Sequence, residues 1–102
     1  MAITKTMEGK QMLNKRSAIL DEAKDLINGD RQEQYGTPKQ NFGRIAVMWT
    51  AYLGVDIAPE DVAVCMALLK ASRLSNEKKH DSFVDGAAYF ALAGELSDDV
   101  VW

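Results

Sequence analysis

Apolar residues recur at three- and four-residue spacing in four stretches of the chain, each bracketed by helix-start and helix-stop signals. The first runs from about Ser17 to Asn28, with Ile19, Ala23, Leu26 and Ile27 as its stripe. Ser17 is placed to cap it, Asp21 lies near its first turn, and Asn28-Gly29 ends it, glycine suiting a left-handed C-terminal position. The second opens on Thr37-Pro38 with Gln40 completing a capping box, carries Phe42, Ile45, Ala46, Trp49 and Leu53, and closes at Gly54. The third begins at Ala58-Pro59-Glu60-Asp61 and runs to about Leu74. Its stripe of Val62, Cys65, Met66 and Leu69 is widened by Val64 and Leu68, which predicts a helix buried over much of its circumference. The fourth spans about Ser82 to Leu96, with Ser82 as N-cap, Asp85 in the capping-box position, and Val84, Ala87, Ala88, Ala91 and Leu92 facing a neighbour.

No stretch alternates as a strand does, so the fold expected is all-α, a bundle of four helices, or five if residues 1–15 are helical. That N-terminal arm is polar with scattered methionines, residues 16–97 form the helical domain, and residues 98–102 form an apolar tail. Val100-Val101-Trp102 is too apolar to leave in water and is expected to dock on its own core or on another copy.

With 102 residues, 47% of them apolar, the chain has enough material for one domain with a real core. A domain this small buries a modest share of its surface, and association between copies is a natural supplement. The net charge of −3 excludes a general attraction to nucleic acid and argues against duplex binding, so any anion site must be a local basic patch. The single cysteine, Cys65, reads as a small buried core residue, and the lone His80 lies on a polar loop too distant in sequence to activate it. One Cys and one His also rule out Cys/His metal sites. No run approaches membrane-spanning length and no secretory leader is visible, so a soluble, cytoplasmic protein is expected.

Candidate chemistry collects between residues 69 and 89. A short polar connection joins the third and fourth helices, making them antiparallel neighbours and bringing Lys70 and Arg73 close to Asp81 and Asp85. Tyr89 extends the acidic face by one turn. Two cations, two carboxylates and a phenol at one helix corner suit a phosphorylated ligand, with or without a metal. The same residues also read as a structural cluster of ion pairs, a helix cap and charges complementing helix dipoles. A second acidic set, Asp21, Glu22 and Asp25, lies on the first helix, where a plain solvated face is the competing reading. The irregular segment of residues 30–38 carries Arg31, Tyr35 and Gly36, and Asn41 and Arg44 follow in the first turns of the second helix. Arg31, Lys70 and Arg73 can neutralise phosphate oxygens, Tyr35 or Tyr89 can stack on a base, and Mg²⁺ needs only one or two of the carboxylates.

The succession Arg31, Tyr35-Gly36, Asn41-Phe42, Trp49, Asp61-Val62, Lys70, Arg73-Leu74, Asp81, Asp85, Tyr89 resembles a small helical family found in tailed phages and prophages. The resemblance covers about residues 17–96. That family is in turn distantly similar to the MazG-like all-α nucleoside triphosphate pyrophosphatases, which hold Mg²⁺ with a Glu-x-x-Glu pair on one helix and a Glu-x-x-Asp pair on a later one. The resemblance implies a bundle completed between subunits of a homo-oligomer in the host cytoplasm. It also implies catalytic carboxylates at Glu22, Asp25, Asp81 and Asp85, with Glu22, Asp25 and Asp85 on the metal. Ligand contacts are implied at Arg31, Tyr35, Gly36, Asn41, Lys70, Arg73 and Tyr89. This chain departs from the enzyme pattern: the first pair is Glu22-x-x-Asp25, and the second is Asp81-x-x-x-Asp85.

Three functions follow as expectations. One is a Mg²⁺-dependent pyrophosphohydrolase of nucleoside triphosphates. Another is a protein that sequesters a nucleotide, or a nucleotide-derived defence signal, without turnover, which the altered carboxylate pattern favours. The last is a structural helical interaction protein, supported by the apolar tail.

Overall fold

The structure, a computed structural model, describes residues 14–29 and 34–101. The expectations for residues 1–13, Arg31 and Trp102 lie outside the described residues. Among the described residues the helices with defined bounds are α1 (Lys15–Asn28), α2 (Pro38–Leu53), α3 (Pro59–Arg73) and α4 (His80–Leu96). Among the described residues there is no strand, and no helix is long and apolar enough to cross a membrane.

α4 is the shared neighbour. It packs most extensively on α3, then on α1, and touches α2, while α2 packs mainly on α3. The main core joins Phe42 and Ala46 of α2, Val62 and Ala63 of α3, and Leu92 and Ala93 of α4. Ile27, Ile45, Trp49, Met66 and Tyr89 close around it. A smaller cluster, Ala23 with Val84 and Ala88, fastens α1 to α4, helped by Ile19 and Ile27. The buried positions of α3 and α4 are mostly small, so the two helices approach closely, and a Cβ added at Gly86 would stand 3.9 Å from the Cβ of Lys70.

The start of α2 follows the sequence closely. The Gln40 N–H donates to Thr37 Oγ1 at 3.2 Å, and the Thr37 N–H donates to Gln40 Oε1 at 3.0 Å. Gly36 leads into this box at φ 84°, and a Cβ there would meet Gln40 Oε1 at 2.6 Å, so both conformation and space demand glycine. Gly54 ends α2 in the left-handed conformation with its N–H on the Thr50 carbonyl. At α3, Pro59 stands in the first turn and Asp61 Oδ2 accepts the Ala58 N–H at 2.8 Å.

Other expectations change. α1 starts at Lys15 with no side-chain cap, so Ser17 is inside the helix, and Gly29 is not left-handed. α4 starts at His80, two residues before Ser82, which is buried in its first turn rather than capping it. The stripe predicted for α3 rotates. Ala63 and Ala67 join Val62 inside, whereas Leu68 and Leu69 are exposed, and so is Cys65, which is not a core residue. The reason is volume: the tight α3–α4 contact admits alanine and turns larger side chains out. Leu53 and Ala91 are likewise exposed, and Val101, 96% exposed, does not dock on the core of its own chain.

Candidate functional site

The α3–α4 corner forms because α3 ends at Arg73 and α4 begins at His80. The Arg73 carbonyl accepts the N–H groups of Asn76 and Glu77 at 3.1 and 3.2 Å, folding the connection back on itself. This corner frames a cleft of about 480 Å³ lined by Lys70, Arg73, Asn76, Glu77, Lys79, Asp81, Ser82 and Asp85. Its volume falls in the ~300–1,000 Å³ range of small-molecule sites. A second, smaller recess of about 160 Å³ is lined by Leu26 and Ile27 of α1 and by Asp85, Ala88, Tyr89 and Leu92 of α4. Asp85 belongs to both.

Charges in the larger cleft balance, with Lys70, Arg73 and Lys79 against Glu77, Asp81 and Asp85. Lys70 Nζ lies 3.1 Å from Asp85 Oδ2, with only 15% and 31% of the two side chains exposed. Lys79 and Glu77 are a loose, exposed pair at 3.8 Å. Arg73 and Asp81 make no ion pair among the described residues. The cleft therefore offers one guanidinium fork and one carboxylate not committed to each other, beside a shielded ion pair.

Lys70, Arg73, Asp81 and Asp85 thus come together, with Tyr89 in the adjoining recess. Tyr89 also packs edge-on against Phe42, with centroids 6.3 Å apart and planes at 82°, which fixes its ring. The remaining candidates among the described residues line neither recess. Tyr35 is half-exposed, and its carbonyl accepts from Arg44 Nη2 at 2.7 Å. Gly36 serves the start of α2, and Asn41 is half-buried there. Glu22 accepts from His80 Nε2 at 2.5 Å, so the histidine expected on a free loop ties the start of α4 to α1. Asp25 is exposed on α1. Among the described residues no three His, Cys, Asp or Glu side chains gather as metal ligands. Within one chain Glu22, Asp25 and Asp85 accordingly do not gather into such a group.

The sequence did not single out Asn76, Glu77, Lys79 and Ser82 as site residues, nor Leu26, Ile27, Ala88 and Leu92 of the apolar recess. The connection's polar run, Ser75 to Lys79, was visible in the sequence. The recess was not, because it depends on how α1 crosses α4.

A family model described as a domain of unknown function, DUF6378, matches residues 18–97. The chain belongs to this family. It is similar to the gene 55 protein of Mycobacterium phage L5, 49% identical over 81 residues, covering 78% of this chain and 52% of the relative. It is also similar to the gene 55 protein of Mycobacterium phage D29, 39% identical over 85 residues, covering 82% and 56%. The chain spans about half the length of these curated relatives. The expected kinship with phage proteins is met, and nothing in these matches extends it to the MazG-like enzymes. No solved structure matches the chain. Within this DUF6378 member the α3–α4 corner and both recesses fall inside the matched residues.

Proposed function

We propose that this chain binds a nucleotide or nucleotide-derived small molecule at the α3–α4 corner and holds it without turnover. The observation that carries the reading is the junction at Asp85 of a charged cleft and an apolar recess walled by Tyr89. A nucleotide has the same two-part character, a phosphate and a flat ring. Arg73 supplies a bidentate fork for phosphate, Lys70 adds a second cation, and Leu26, Ile27 and Tyr89 receive the base.

The balanced charge of the cleft bears on the ligand class. A triphosphate brings several negative charges to a site with no net positive charge to offset them. A ligand with one phosphate or a single bridging phosphodiester fits better. Sequestration is favoured over pyrophosphate release because Asp85 is paired with Lys70 and Glu22 with His80, which departs from the paired carboxylates of the enzymes that the chain resembles.

The test is a thermal-shift panel of nucleoside monophosphates, cyclic nucleotides and triphosphates, with pyrophosphate and phosphate release assayed in parallel, with and without Mg²⁺. Stabilisation by mono- or cyclic nucleotides with no release supports the proposal. Steady release from a triphosphate replaces sequestration with hydrolysis.

A further inference from the structure

We infer that a second copy of this chain packs antiparallel along α4, through a seam of Phe83, Ala87, Phe90 and Gly94. Phe83 and Phe90 are 42% and 56% exposed although each carries a large apolar ring. Ala87 is partly covered, and a Cβ added at Gly94 would meet nothing within 4 Å. The four positions are spaced four, three and four residues apart, the period of a packed helix seam.

Their order along the seam is large, small, large, small. An antiparallel pair related by a two-fold axis matches residues whose numbers have a constant sum. A sum of 177 sets Phe83 against the partner's Gly94 and Phe90 against the partner's Ala87. Every ring then meets a small residue, as ridges fitting grooves require. A parallel pairing in register would set ring on ring. The face is thus its own complement when reversed, a property that an unrelated partner would not require.

The ends agree independently. The same sum places Lys78 and Lys79, just before α4, beside the partner's Asp99 and the partner's Asp98, just after it. All four are exposed. Two cations meet two carboxylates at each end, and antiparallel helix dipoles add to the match. Lying on lipid would leave the Asp98-Asp99 pair against a surface that is anionic or neutral, with nothing to oppose it.

The seam leaves Asp85 clear, and of the residues lining the cleft the exposed Lys79 is the one shared with the partner's end. Phe83 and Asp85 are two residues apart, about 200° round the helix, so the cleft opens on the other side of α4. The inference stands whether or not the cleft binds a nucleotide.

Cross-linking tests it on the full chain. With Cys65→Ser as background, Phe83→Cys/Gly94→Cys should form a covalent dimer on mild oxidation. The two positions are on the order of 16 Å apart on one helix and cannot bond within a chain. Phe83→Cys alone and Gly94→Cys alone should cross-link far less, because like positions then lie a similar distance apart across the axis. Light scattering should give a dimer for the unmodified chain at tens of micromolar and a monomer for Phe90→Asp, with helical content unchanged. A monomeric unmodified protein, a Phe90→Asp dimer, or equal cross-linking in the single-cysteine chains would overturn the inference.

Discussion

Lys70 Nζ sits 3.1 Å from Asp85 Oδ2, and Asp85 walls both the charged cleft and the apolar recess. The lysine stem lies along α4 where Gly86 presents no side chain, so its ammonium reaches the carboxylate from a largely shielded position. One ion pair thus belongs to the helix contact and to the candidate site at once. Its replacement bears on stability as well as on ligand.

Removing one partner strands the other in a partly dry site. Lys70→Ala and Asp85→Ala should each cost about 1–3 kcal/mol in urea unfolding. The double variant should cost clearly less than the sum of the two. Strict additivity would show that the two side chains do not act as a pair.

Gly36 is predicted to matter through the backbone alone. Gly36→Ala must hold a left-handed φ and push Gln40 out of the capping box, at a cost of about 1–2 kcal/mol. Ligand stabilisation should persist in this variant, because Gly36 lines neither recess. A lost ligand response with unchanged stability would return Gly36 to the binding site.

Phe42 is 1% exposed at the point where α2, α3 and α4 meet. Phe42→Ala should destabilise by about 3–5 kcal/mol, or abolish folding at physiological temperature, read by circular dichroism during thermal melting. A loss below about 1 kcal/mol would mean that the core closes around the gap.

Much of this was legible in the chain because it is local. Thr37, Pro38 and Gln40 determine the start of α2 through contacts within four residues, and the short connection after Arg73 dictates an antiparallel α3–α4 pair. What was not legible depends on neighbours. Whether Cys65, Leu68 and Leu69 face in or out is decided by the small residues of the α3–α4 contact, which favour Ala63 and Ala67 inside. Ser82 has the chemistry of a cap, yet the helix extends past it to His80, where the bond to Glu22 ties the new first residue to α1. Lys70, Arg73, Asp81 and Asp85 were predictable as a group because one hairpin carries all four. The recess lined by Leu26 and Ile27 needed the position of α1.

The exposure of Cys65 gives a direct check on the rotated α3 stripe. A thiol reagent should modify one cysteine per chain in native buffer at a rate within about tenfold of that in denaturant. Protection by several orders of magnitude would put Cys65 back in the core and refute the packing described for α3.

One ligand spanning both recesses is the central expectation, and thermal shift with three probes tests it directly. A nucleoside monophosphate at about one hundred times its Kd should stabilise the chain by about 2.7 kcal/mol. Inorganic phosphate and the bare nucleoside at the same concentration should give far smaller shifts, and Arg73→Ala should lose the nucleotide response while melting near the unmodified protein. No shift with any nucleotide, or a full shift retained in Arg73→Ala, would contradict the account.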